Sequence, residues 1–171
     1  MAYDPKAVAN AFLDRADRDG VRMTPMKLLK LLYIAHGWHL ATQNQPLINE
    51  PILAWQYGPV IRSVYNEFKS FGGSSITGRA LAYESSSGWP SVAALNPSTA
   101  TADVLERVWN AYGGYTGPQL MHLTHTPDTP WYDTWHVRGG KNRLNAVINN
   151  QDIHSHFVNK AQQRHTATRT G

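Results

Sequence analysis

The 171-residue sequence contains no cysteine, which excludes disulfide bonds, thiolate metal ligands and cysteine nucleophiles. Charged residues are also scarce, at 16% of the chain, and the lysines and arginines behind the net charge of +4 are scattered along it. Proteins that bind nucleic acid usually carry such cations in a cluster or stripe. The sequence therefore argues against a nucleic-acid partner.

Features of a secreted or membrane protein are missing as well. Residues 1–10 lack the basic and apolar regions of a signal peptide. The long apolar stretch at residues 24–42 carries two lysines and two histidines, which argue against a membrane-spanning helix. We therefore expect a cytoplasmic protein that does not act at a membrane.

Aromatic residues, by contrast, are abundant. The chain has six Trp and eight Tyr, residue types that favour cores and protein interfaces. Its length suits one domain with its own hydrophobic core. We expect a single domain over residues 1–164, followed by a disordered polar tail over residues 165–171.

The stretch from Thr24 to Thr42 has the pattern of a central, buried helix. Thr24 is suited to the N-cap, and Pro25 fits the first helical turn. On a helical wheel, apolar side chains occupy most of the circumference, which is typical of a helix with neighbours on several sides. Only a narrow strip is left for solvent. Its members are Lys27, Lys30, Gly37 and Ala41.

The rest of the pattern predicts a mainly α fold around this helix. Apolar spacing, capping residues and glycine stops predict the other helices. These are Pro5 to Arg18, a third helix that begins at Gly58–Pro59 and ends at Gly72–Gly73, a fourth capped by Thr101 and closed by Gly113–Gly114, Gly117 to Thr124, a turn from Trp131 to Trp135, and a last helix capped by Asn149 or Asn150. Extended segments or a small hairpin are predicted at residues 52–57 and 76–83, with a loop at Ser85 to Gly88.

Two histidine pairs are candidates for a metal site. His36 and His39 are three residues apart on the central helix, and His122 and His125 repeat that spacing on the fifth. Four imidazoles can bind zinc or another transition metal. Neither pair encloses the carboxylate of the metalloprotease pattern, and His39 lies on the apolar face, where a hydrogen-bonded core histidine is commoner. The sequence favours structural histidines and leaves the metal site open.

No other motif establishes catalysis. Every Gly-Gly pair follows a predicted helix and suits a C-cap rather than a phosphate loop. Ser85 to Ser87 lack the glycine elbow of a serine nucleophile. Asp128 and Asp133, near Trp131, suit turn and cap positions as well as an acid–base pair. We therefore predict a non-enzymatic protein without a cofactor.

Five aromatic residues lie outside the regular apolar stripes. Such residues either fill the core beneath irregular segments or anchor a partner. We predict core positions for Trp55 and Trp131. For Tyr57, Tyr132 and Trp135 the sequence leaves both roles open.

Three segments occur in a characteristic order: KLLKLLYIAHGWHL from Lys27, PLINEPILAWQYGPVIRSVYNEFK from Pro46, and LTHTPDTPW from Leu123. Together they resemble the Panacea domain of SocA-like antitoxins, a family also found among phage-associated proteins of the GepA type. The matching motif residues, interpreted mainly as scaffold, are Lys27, Leu28, Lys30, Leu31, Tyr33, Ala54, Trp55, Gly58, Pro59, Val60, Tyr65, Thr124, Pro130 and Trp131.

The resemblance implies a mostly helical antitoxin of a toxin–antitoxin system, which neutralises a toxin by direct protein binding. The cognate toxin would be the product of an adjacent gene. Some family members carry an added DNA-binding domain, for which this chain offers no spare length. The candidate partner-binding residues flank the motifs and are Tyr57, Arg62, Tyr132 and Trp135.

Two alternatives stay open. One is an adaptor that delivers a bound partner to a protease, for which a disordered tail would be useful. The other is a metal-dependent hydrolase that uses the paired histidines. The sequence also leaves open whether the protein forms a homo-oligomer.

Overall fold

The computed structural model describes residues 1–83 and 86–169, and within them the fold is mainly α with two small antiparallel sheets, as predicted. The helices are α1 (Pro5–Asp19), α2 (Pro25–Gln43), α3 (Arg62–Phe68), α4 (Thr99–Tyr112), α5 (Gly117–His125), α6 (Pro130–Tyr132) and α7 (Asn150–Arg169). The strands are β1 (Leu53–Trp55), β2 (Gly58–Val60), β3 (Leu81–Tyr83), β4 (Pro90–Val92) and β5 (Ala146–Val147). Short 3-10 turns cover Lys69–Phe71 and Gly140–Asn142, and a π-helical turn covers Asp133–Val137.

Several helices begin where a side chain caps the first turn. The Asp4 carboxylate accepts a hydrogen bond from the Lys6 amide at 2.8 Å, and the Thr24 hydroxyl accepts one from the Lys27 amide at 3.3 Å. At α5, Thr116 and Gln119 form a reciprocal capping box. These contacts are local, which is why the sequence predicted the starts of α1, α2 and α5 correctly.

Helix α2 is the centre of the fold. Fourteen of its nineteen residues are buried, and α1, α3, α4, α5 and α7 pack around it. One close approach is at Gly37, where a Cβ atom would lie 2.1 Å from the Phe157 ring of α7. The predicted central helix is therefore confirmed.

The predicted solvent strip of α2 is wrong. Lys27 and Lys30 are only 4% and 2% exposed, Gly37 is buried and Ala41 is half-buried. A helical wheel gives the angle of each side chain but not which elements cover it. Here the carboxyl end of α4, strand β2 and α7 cover the three buried positions.

The prediction that Gly58–Pro59 begins the third helix is also wrong. Residues Gly58–Val60 form β2, which pairs antiparallel with β1 so that Trp55 faces Gly58 across a two-residue loop. Gly58 has a φ of +112°, which favours glycine and closes this tight hairpin. Pro59 lacks an N–H but is tolerated because β2 is an edge strand of the sheet β2-β1-β5. Helix α3 starts only at Arg62.

The sequence predicts Thr101 as the cap of the fourth helix, and this prediction is wrong: Ser98 caps α4. The Ser98 hydroxyl accepts a hydrogen bond from the Thr101 amide at 3.2 Å. Thr101 lies inside the helix, buried, with its hydroxyl 3.0 Å from Nε2 of His39 on α2. Both residue types suit a cap, so the choice depended on a tertiary contact.

The carboxyl-terminal helix is longer than predicted. The Asn149 side chain accepts a hydrogen bond from the Gln151 amide at 2.6 Å, and α7 then continues to Arg169. Residues 165–169, predicted to be a disordered tail, are therefore helical. Residues 170–171 lie outside the described residues, as does Ser85 of the predicted loop.

The two predicted extended regions each contain a strand of a hairpin, β1 with β2 and β3 with β4. Strand β5 was not predicted, because two residues are too few for an alternating pattern. Over residues 1–83 and 86–169, every helix is too short or too polar to span a bilayer.

Candidate functional site

An open groove of about 650 Å³ lies beside the β1–β2 hairpin, and we call it the hairpin groove. Its walls come from the first turns of α2, the hairpin, the end of α3 and the segment at residues 135–145. It brings together several residues that the sequence singled out. From the family-like motifs these are Lys30, Ala54, Trp55, Val60 and Tyr65, and from the candidate partner-binding residues Tyr57 and Trp135.

Aromatic contacts hold the hairpin in place. The Trp131 indole donates a hydrogen bond to the Trp55 carbonyl at 2.8 Å, and the Trp55 indole donates to the Asn145 side chain at 3.0 Å. The Trp55 and Tyr65 rings meet edge to face with centroids 4.8 Å apart. Trp131 is buried, as predicted, whereas Trp55 is half-buried and lines the groove. These contacts therefore fix the Trp55 side of the groove.

Lys30 lies at the floor of the groove. Its ammonium group donates a hydrogen bond to the Pro59 carbonyl at 3.2 Å. Gly58 packs directly against it, since a Cβ at that position would lie 2.7 Å from the lysine Cε. Burial lowers the pKa of Lys30 to about 7, because the charged form loses its hydration.

Lys27, the other motif lysine, has a structural contact away from the groove. Its ammonium group donates to the carbonyl of Gly113 at the end of α4 and lies 5.7 Å from the Trp109 ring. The contact satisfies a carbonyl at a helix end, where intrahelical partners run out. Burial lowers the pKa of Lys27 as well.

Most motif residues are inside the protein. Of the fourteen, only Trp55 and Tyr65 are half-buried, and the other twelve are buried. Burial on this scale is what a scaffold role requires. The two half-buried residues are both aromatic, and both line the groove.

The four candidate partner-binding residues do not form one cluster. Tyr57 is at the tip of the hairpin and is 62% exposed, while Trp135 stacks on Trp131 with centroids 5.9 Å apart. Both line the groove. Arg62 is exposed and Tyr132 is half-buried, but neither contributes to its lining.

Sequence reasoning missed three residues of the groove lining. Lys69, Arg143 and Leu144 line the groove, and Leu144 is 92% exposed. An isolated leucine in a polar loop belongs to no periodic stripe, so the pattern gave no reason to select it. Its exposure was visible only once the fold was known.

The histidines of the central helix are bound by protein groups. Nε2 of His36 is 2.9 Å from the Asn150 side-chain oxygen, and Nδ1 of His39 is 2.7 Å from the Gln45 carbonyl. Burial is the main cause that lowers the pKa of His36, to about 4, and it also lowers the pKa of His39. Both rings are therefore neutral hydrogen-bonding groups of the interior at neutral pH.

The second histidine pair is divided between two environments. His122 is exposed, whereas the ring nitrogens of His125 lie 2.8 Å from the Met121 carbonyl and 3.2 Å from the Gln56 carbonyl. In the described part of the chain, no three His, Asp or Glu side chains are grouped so that they could hold a metal ion.

The other catalytic candidates occupy turns. Ser87 takes part in a local turn through a 3.4 Å hydrogen bond from the Trp89 amide, and Ser85 lies outside the described residues. Asp128 is exposed in a left-handed turn with a φ of +65°, and Asp133 begins the π-helical segment.

Comparisons with known proteins agree with the motifs. The family described as "Antitoxin SocA-like, Panacea domain" matches residues 28–132. A curated relative, "Antitoxin SocA" of Caulobacter vibrioides (strain NA1000 / CB15N), is 34% identical over 131 residues, which cover 77% of this chain and 70% of the relative. No solved structure matches the chain. The family match includes the β1–β2 hairpin and ends before Trp135 and the segment at residues 143–145.

Proposed function

Because this chain belongs to the SocA-like antitoxin family with a Panacea domain, we propose that it neutralises a partner toxin by binding the toxin directly. The observation that carries this proposal is the hairpin groove, an open and largely apolar surface built on the family-like hairpin. We further propose that the toxin is encoded by an adjacent gene and that the two proteins meet in the cytoplasm.

The groove has the features of a protein-binding surface. Binding energy at interfaces is concentrated in a few aromatic, arginine and large apolar anchors near the centre of the contact. Tyr57 and Trp135 face the groove, and Leu144 exposes nearly its whole side chain beside them. When a partner covers exposed apolar groups of this size, their removal from water makes the free energy of binding more favourable.

The proposed mechanism is stoichiometric and needs no catalytic group. The support comes from the histidines, since His36 and His39 are each engaged by hydrogen bonds inside the protein. A disordered tail was an argument for the adaptor alternative, and it does not hold for residues 165–169, because these residues belong to α7.

The test is toxin binding and growth rescue with matched tyrosine variants. Each neighbouring gene product is expressed with and without this protein, and the affinity for any toxin found is measured by calorimetry. We expect Tyr57→Ala to weaken binding by about 30- to 1,000-fold, the loss of about 2–4 kcal/mol typical of a central aromatic anchor. Tyr83→Ala is the control, since Tyr83 is another exposed tyrosine, at 80% against 62% for Tyr57, and lies on the other hairpin.

Two further readouts separate the alternatives. A folded His36→Gln or His125→Gln variant should still bind the toxin and rescue growth. If such a variant binds the toxin but no longer rescues, catalysis replaces sequestration as the explanation. If this protein shortens the half-life of the toxin in cells, the adaptor role is correct instead.

A further inference from the structure

The hairpin groove combines an apolar lining with charge of one sign. Its apolar and aromatic residues are joined by Lys30, Lys69 and Arg143, and no Asp or Glu is among the described lining residues. A partner that enters this groove must therefore suit apolar walls and basic side chains at the same time.

These three basic side chains have no carboxylate partner within the described residues. The Lys69 ammonium donates to the Asn66 side chain at 3.4 Å, and the Arg143 guanidinium donates to the Arg138 carbonyl at 3.3 Å. Elsewhere on the surface, Arg15, Arg79 and Arg138 form ion pairs with Asp or Glu. Lys69 and Arg143 are therefore free to pair with carboxylates from outside.

Lys30 is a third basic group, at the floor of the groove, and with a pKa of about 7 it is partly protonated at neutral pH. Its side chain is almost completely buried, and the one hydrogen bond from its amino group to a described residue is to the Pro59 carbonyl. A buried ammonium with a single neutral acceptor is incompletely compensated for its lost hydration. A nearby carboxylate from a partner would stabilise this ammonium by electrostatic attraction that water screens only weakly.

We propose that the hairpin groove binds an acidic, hydrophobic peptide segment, in which an aromatic or aliphatic side chain lies next to carboxylate groups. The apolar side chain packs between Trp55, Tyr57 and Trp135. The carboxylates pair with Lys69 and Arg143 at the rim, above the Lys30 side chain. This assignment rests on the proposed function, because the segment belongs to the toxin.

A peptide fits the groove better than a nucleic acid does. Binding a nucleic-acid strand without base pairing needs a row of exposed cations that follow the phosphates. Among the described lining residues, only Lys69 and Arg143 are exposed cations, whereas most of the lining is apolar. Opposite charge with apolar contact is the complementarity found at protein–protein interfaces.

The test is selection from an unbiased, random-sequence peptide library displayed on phage, with the full-length protein as bait. The enriched peptides are then synthesised, and their affinity is measured by fluorescence anisotropy. We expect them to carry net negative charge and at least one aromatic or large aliphatic residue. Replacing their Asp and Glu by Asn and Gln should weaken binding by about tenfold or more.

Charge-reversal variants locate the binding site. The double variant Lys69→Glu/Arg143→Glu should weaken the selected peptides by about tenfold or more, because attraction becomes repulsion. The control is Arg107→Glu/Arg169→Glu, which makes the same charge change at exposed positions outside the groove and should alter affinity by less than about twofold.

Three results would overturn the inference: no enriched peptide, enriched peptides that are basic or uncharged, or acidic peptides that bind both double variants equally. Tighter binding of a single-stranded oligonucleotide at the groove would assign the site to nucleic acid instead. The growth-rescue assay separates this inference from the proposed function. If Lys69→Glu/Arg143→Glu still binds the toxin and rescues growth, the groove chemistry is wrong and neutralisation stands. If the wild-type protein rescues against no toxin, the proposed function fails.

Discussion

At the scale of single residues, the two buried lysines of α2 are the least expected feature. Each ammonium group donates to one backbone carbonyl, Lys27 to Gly113 and Lys30 to Pro59. These bonds connect the central helix to the end of α4 and to strand β2. The connection comes with an energetic cost, because a buried ammonium loses hydration that one neutral carbonyl does not replace.

That cost predicts an unusual dependence of stability on pH. The pKa of Lys30 is about 7 in the folded protein, below the value of 10.5 for an exposed lysine. Between these two values the unfolded chain holds a proton that the folded chain releases, so the free energy of unfolding rises with pH. One such group gives a slope of up to about 1.4 kcal/mol per pH unit. We expect Lys30→Met to reduce this rise, as measured by urea unfolding from about pH 7 to about pH 9, and any remaining rise to come from Lys27, whose pKa burial also lowers.

The matched control is Lys69→Met, since Lys69 is exposed. That variant should keep the pH dependence of the wild-type protein. Tyr33 does not interfere, because burial raises its pKa and its effect therefore lies at higher pH. If Lys30→Met retained the full rise, the stabilising deprotonation would belong to another group.

At the scale of elements, α2 acts as the packing centre for the surrounding helices. Leu28, Leu31 and Leu32 are fully buried within it, and side chains of α1, α4 and α7 belong to the same core cluster. A helix in this position cannot collapse readily around a missing side chain, because neighbours hold it on several sides. Cavities left in such a core remain partly open.

We therefore expect Leu32→Ala to lower the free energy of unfolding by about 2–5 kcal/mol. Leu144→Ala makes the same chemical change on a leucine that is 92% exposed, and should change stability by less than about 0.5 kcal/mol. Chemical denaturation of both variants measures the difference. Similar effects at the two positions would mean that α2 is not the packing centre.

At the scale of the whole molecule, one core cluster runs from Val8 in α1 to Phe157 in α7. No second cluster is needed to account for the buried apolar residues of α2, α4 and the β1–β2 hairpin, which all belong to this one. Elements that share a core lose their packing together. The single domain over residues 1–164 stays a prediction, which unfolding experiments test.

A single domain should unfold in one cooperative transition. We expect tryptophan fluorescence, which reports tertiary packing around the six Trp residues, to change with the same midpoint as far-UV circular dichroism. The measurement is a denaturant titration followed by both signals. Two separated midpoints would divide the chain into independently folding parts.

Several residues of the candidate site could be predicted from the sequence, but their arrangement around one groove could not. Tyr57 and Trp135 were selected because they flank motifs without joining an apolar stripe, and both line the groove. Lys69, Arg143 and Leu144 were not selected, since a surface that forms between distant segments leaves no local pattern. Arg62 and Tyr132 satisfied the same sequence criterion as Tyr57 yet lie outside the groove lining.

The sequence by itself determined the features that depend on neighbours in the chain. The caps at Asp4, Thr24 and Thr116, and the apolar character of α2, follow from hydrogen bonds within one turn and from side-chain periodicity. Tertiary structure decided the rest. Tertiary contacts bury Lys27 and Lys30, and they place Ser98 rather than Thr101 at the cap of α4. These outcomes depend on which surface covers a residue, and covering surfaces come from segments far away in sequence. The hairpin groove arises for the same reason, because α2, β1, α3 and the segment at residues 143–145 meet only in the folded chain.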